Sequence, residues 1–74
     1  MEIRRSGTVQ AIDEGRQDSL IRADEDGACV VAHYAEMFPE GAAPLQVGER
    51  VTYIREEEQG RPVARGVRRQ IGGG

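Results

Sequence analysis

The 74-residue chain has no tryptophan and no lysine, and only one cysteine, one histidine and one phenylalanine. A lone Cys29 closes no internal disulfide, which agrees with a reducing compartment. One cysteine and one histidine are too few nitrogen and sulfur ligands for a structural zinc site. They also make no nucleophile, base and orienter set, and the carboxylates fall in turn signals where nothing desolvates them. The chain is therefore not read as an enzyme, and no cofactor or metal is implied. No apolar run approaches the roughly 20 residues of a bilayer span, so no membrane partner is expected. The opening Met1-Glu2-Ile3-Arg4-Arg5 lacks the apolar stretch of a signal peptide, and a cytoplasmic address is the expectation.

What is present is a small, charged domain. Apolar residues make up 38% of the chain, and eight of them are alanine, so the core is thin. This size excludes a multidomain enzyme or a large cofactor cradle. All ten basic residues are arginine, against 13 acids, for a net charge of −3. The signs are segregated: residues 61–74 hold four arginines (Arg61, Arg65, Arg68, Arg69) and no acid. That end is locally basic, either a solvated tail or a phosphate-contacting segment, while a uniformly basic nucleic-acid footprint is absent.

The apolar spacing is short and strand-like, with no window that keeps a helical period. Strands are expected over Ile3–Ile12, Ser19–Ala23, Cys29–His33, Glu49–Glu57 and Arg61–Arg69. Asp13-Glu14-Gly15, Asp24-Glu25-Asp26-Gly27 and Gln59-Gly60 are the turn signals between them. Residues 35–48, with two prolines and two glycines, read as a long loop with one helical turn. Five short strands without a helical layer indicate an all-β, five-stranded antiparallel barrel, whose closure removes unpaired edges. Residues 1–70 form a single domain in this reading, and residues 71–74 a disordered glycine-rich tail. The expected core is Val9, Ile12, Ile21, Val30, Ala32, Met37, Val51, Tyr53 and Val67.

Several segments in this order resemble the cold-shock domain. Gly7-Thr8-Val9-Gln10 is similar to the family's opening Gly-x-Val-Lys-Trp-Phe. Arg16 to Ile21 occupies its first ribonucleoprotein motif, Lys-Gly-Phe-Gly-Phe-Ile. Val30-Val31-Ala32-His33-Tyr34 resembles the second, Val-Phe-Val-His-Phe, with no gap between the two. Val47 to Tyr53 is similar to Glu-Gly-Gln-x-Val-x-Phe, and Pro62 with Ala64 to Val67 to the closing Gly-Pro-x-Ala-x-Asn-Val. The likeness spans about residues 5–68. It implies an OB-fold barrel that binds single-stranded RNA or DNA by stacking bases on aromatic rings beside basic groups.

The departures fall on that binding surface. Ala11 stands at the tryptophan position, Asp18 and Leu20 at the two phenylalanines of the first motif, and Val31 at the phenylalanine of the second. His33 and Tyr34 keep the family's character, and Phe38 adds a ring in the following loop. Arg55 stands where the family carries a buried aliphatic. Stacking is worth about 1–3 kcal/mol per base, so four lost rings imply weakened binding. The expected nucleic-acid contacts are His33, Tyr34, Phe38, Leu20 and Val31 to bases, with Arg16, Arg22 and Arg61 to phosphates or stacked on bases. His33 and Tyr34 are equally readable as surface groups kept with the fold, and Phe38 as a loop anchor. Acidic runs such as Asp24-Glu25-Asp26 read as solvated turns that repel phosphate. A second reading gives the surface to a protein partner, with Ala11, Leu20 and Val31 as an apolar patch edged by Asp18, Arg16 and Arg22.

Overall fold

A computed structural model describes residues 3–70. The expected glycine tail at residues 71–74 lies outside the described residues. Five strands are present: β1 (Arg5–Asp13), β2 (Asp18–Ala23), β3 (Cys29–His33), β4 (Arg50–Glu58) and β5 (Arg61–Arg69). A short 3-10 helix, Tyr34–Met37, follows β3. No helix among the described residues is long and apolar enough to cross a membrane.

The strands close into a barrel in the order β1-β2-β3-β5-β4, with β4 returning to β1. Four seams are antiparallel, as expected, and the β3–β5 seam is parallel. The parity of the ring requires this: five strands cannot alternate direction all the way round. The odd seam falls where the chain leaves β3, crosses under the barrel and returns through β4.

Alternation along each strand turns one side inward. Val9, Ile21, Ala23, Val30, Ala32, Met37, Leu45, Val51, Tyr53, Ala64 and Val67 form the core, with Ile12 packed against it. All nine expected core residues are in or against this cluster. Leu45 joins from the long loop, where its N–H donates to the Met37 carbonyl at 2.8 Å and pulls the crossing segment under the barrel. Ser19 also faces inward, and its hydroxyl donates to the Ala32 carbonyl at 3.0 Å, so a buried polar group is satisfied.

Two irregularities curve the wall. In β1 the pairing steps from Val9↔Ile21 to Ala11↔Leu20, leaving Gln10 as an extra residue. In β5 a similar step faces the Thr52–Ile54 stretch of β4, at Gly66, whose φ is +59°. Bulges of this kind sharpen the local twist and help so small a ring to close. Gly7 marks a close approach: a Cβ there would lie 2.6 Å from the Arg22 carbonyl oxygen.

Arg55, at an aliphatic position by resemblance, is accommodated at the barrel's end. Its guanidinium reaches Asp26 at 3.2 Å and Glu25 at 3.4 Å on the β2–β3 turn. Arg5 adds a pair to Glu25 at 2.9 Å, and Arg50 grips Asp24 with two nitrogens. The acidic turn, expected as freely solvated, is thus matched by three arginines from β1 and β4. Its power to repel phosphate is correspondingly reduced.

Candidate nucleic-acid interface

Strand register lays out the outer wall of β1, β2, β3 and β5 as three rows. The middle row is apolar: Ala11 pairs with Leu20, Leu20 with Val31, and Val31 with Val63. Leu20, Val31 and Val63 are half-buried and Ala11 is exposed. Val63 was not among the sequence candidates. It reaches this row only because β3 and β5, far apart in the chain, meet across the parallel seam.

On one side of that row Arg22 pairs with Cys29, and Arg61 lies two residues before Val63 on the same face of β5. The Arg22 Nε donates to the Gln10 side-chain oxygen at 2.8 Å, a contact made by the bulge residue of β1. Neither Arg22 nor Arg61 has a carboxylate partner among the described residues. Six other arginines contrast with them: Arg5, Arg16, Arg50, Arg55, Arg65 and Arg69 are all paired with acids. Arg65 pairs with Glu56 at 3.4 Å and also with Glu58, and Arg69 with Glu49 at 2.6 Å. The basic C-terminal segment is therefore half neutralised. The Arg69 guanidinium, helped by the Gln46 backbone N–H, lowers the Glu49 carboxyl to about 2.

On the other side of the apolar row, Asp13 pairs with Asp18 and Asp18 with His33. Arg16, in the β1–β2 turn, lies 3.7 Å from Asp13 and projects into solvent. His33 is exposed and occupies the N-terminal cap of the 3-10 helix, where its Nδ1 accepts from the Ala35 N–H at 3.1 Å. In the neutral ring an accepting Nδ1 leaves the proton on Nε2, which is then the remaining donor of the side chain. Beyond it, Tyr34 and Phe38 stack edge to face with centroids 4.9 Å apart. Phe38 is 48% exposed, so the pair is both a loop anchor and an accessible aromatic edge.

The wall thus brings together Leu20, Val31, His33, Arg22 and Arg61, with Tyr34 and Phe38 at its rim. Arg16, in the β1–β2 turn, lines a cleft of this wall together with Ala11, Asp18 and Leu20. Two shallow clefts cut the surface, one of about 170 Å³ between β2, β3 and β5 and one of about 220 Å³ between β1 and β2. An apolar strip accepts the flat face of a base, the free guanidinium groups suit phosphates, and the imidazole N–H suits a base acceptor.

A search among curated proteins finds no match to this chain. Among solved structures, Drosophila Unr CSD456 shares the fold with a TM-score of 0.79 at 18% sequence identity. The match covers 97% of this chain and 29% of that one, so this chain spans less than a third of that polypeptide. The family model described as the 'cold-shock' DNA-binding domain matches residues 5–70, nearly the full length, and the chain belongs to that family of nucleic-acid-binding barrels.

Proposed function

We propose that this barrel binds single-stranded nucleic acid weakly, through a wall in which an apolar strip and two free arginines replace most of the stacking rings. The observation that carries this reading is the placement of Arg22 and Arg61. Both lie along the Ala11–Leu20–Val31–Val63 row without an acidic partner among the described residues, whereas six other arginines are matched by carboxylates. Uncompensated cations beside an apolar strip supply phosphate contacts and guanidinium stacking in the place where rings have been lost. His33, Tyr34 and Phe38 supply the remaining aromatic surface.

Titration of labelled single-stranded oligonucleotides at low salt tests the reading. Saturable binding is expected, and it should weaken as salt rises, with a log–log slope of about −1.4 for two phosphate contacts. Arg22→Ala or Arg61→Ala should flatten that slope by about half, and His33→Ala should lower affinity with little change in slope. Absence of binding at tens of micromolar by a folded sample would refute it.

One observation favours a second reading. The four-residue apolar row, rimmed by charge, also has the pattern of a protein contact. In that case Leu20→Asp and Val31→Asp would abolish capture of a partner while leaving the fold intact.

A further inference from the structure

Asp18 stands at the first phenylalanine of the ribonucleoprotein motif, on the ridge between the two clefts of the wall. Asp13 pairs with Arg16 and Asp24 with Arg50, but Asp18 has no hydrogen-bond or ion-pair partner among the described residues. It is half-buried, and its cross-strand neighbour is His33, an exposed side chain whose Nδ1 is taken by the Ala35 N–H, leaving Nε2 as its other nitrogen. Residues opposite each other on paired strands carry their Cβ atoms about 5 Å apart, so the carboxylate and the imidazole address one ligand edge together. Val31 and Val63 line the same cleft and give it an apolar side, while Glu58 in its lining is engaged by Arg65. The cleft, of about 170 Å³, is smaller than a drug-sized pocket and suits a single flat ring system.

We infer that the Asp18–His33 pair is a base-reading site that selects guanine from a single strand. The inference rests on the nucleic-acid reading above and specifies its base preference. An ionised carboxylate only accepts hydrogen bonds, and it disfavours phosphate. The ligand edge it takes must therefore present N–H donors. Guanine alone places two donors side by side, N1–H and the N2 amino group, where both carboxylate oxygens can be used at once. Its O6 follows next along the same edge, in the position for the His33 Nε2–H. Uracil and thymine flank their one N–H with carbonyl oxygens that repel a carboxylate. Adenine and cytosine place a ring acceptor beside their amino group. The same substitution that removes a stacking ring thus introduces selectivity.

The test compares short oligothymidine strands that differ by one central guanosine, adenosine or cytidine, titrated against the intact chain at low salt. The guanosine strand should bind about tenfold more tightly than the others, the lower part of the range for a bidentate contact. Asp18→Asn should abolish that preference and leave binding of plain oligothymidine equal or stronger, because a negative charge leaves the wall. Asp18→Phe should strengthen binding of all four strands without favouring guanosine. Equal affinity for all four strands by the unmodified protein would overturn the guanine site while leaving nucleic-acid binding in place. A guanosine preference that survives in Asp18→Asn would equally overturn it. Failure of every strand to bind would remove both readings together.

Discussion

Tyr53 is the largest side chain in the core, fully buried, and among the described residues its hydroxyl has no hydrogen-bond partner. Desolvation is the main reason its phenol is pushed above the ordinary range, so the group stays neutral. A buried hydroxyl without a partner carries its dehydration cost with no return, whereas the ring fills the barrel. Tyr53→Phe is therefore expected to leave the unfolding free energy unchanged or raise it by up to about 1 kcal/mol in urea titration. A loss above that figure would show that the hydroxyl has a partner such as a bound water. That Tyr53 is a core residue was legible in the Val51, Tyr53 alternation of β4. Its orphaned oxygen was not, because hydrogen-bond satisfaction depends on which groups the ring closure brings near. His33 divides in the same way. The sequence marked it as a candidate, but only the fold shows that its Nδ1 is committed to the helix cap.

Among the elements, the β4–β5 hairpin is the clearest case of local chemistry setting geometry. Gln59 and Gly60 both have positive φ, +53° and +78°, the pairing of a two-residue turn whose twist matches the strands it joins. Glycine suits that region, and glutamine is strained in it. Gln59→Asn should stabilise the barrel by about 0.5 kcal/mol, read as a raised midpoint of thermal unfolding. Gln17 has the same left-handed backbone, φ +59°, at the position where the family motif carries glycine. Strands and turns were legible because alternation and glycine signals are local. The bulges at Gln10 and Gly66 were not, since a bulge is defined by the partner strand's count of residues. Nor was Leu45 as a core residue, because one leucine in a loop has no period to identify it.

For the molecule as a whole, ion pairs tie distant segments across the ends of the barrel. Arg69 of β5 holds Glu49 ahead of β4, and Arg50 and Arg55 of β4 hold the β2–β3 turn. Glu49 falls from 4.5 to about 2, and Asp24 and Asp26 are also lowered, Asp24 mainly by its hydrogen bonds from Arg50 and Asp26 mainly by the Ala28 N–H. A carboxyl whose pKa is lower in the folded state contributes stability above its unfolded pKa, and that contribution is lost as pH falls through the folded value. Thermal stability should accordingly hold down to about pH 4.5 and decline from there toward pH 2, and Glu49→Gln should make the decline shallower. An identical acid limb in that variant would show that the Arg69 pair contributes nothing. The sequence alone determined the five strands, most of the inward-facing set and the loss of rings from the wall, because side-chain alternation and residue identity are properties of neighbours along the chain. Only the tertiary structure decided which arginines are paired with acids among the described residues, that Val63 completes the apolar row, and that Asp18 faces His33. Those facts belong to the register between strands, and a five-membered ring with one parallel seam sets that register by closure.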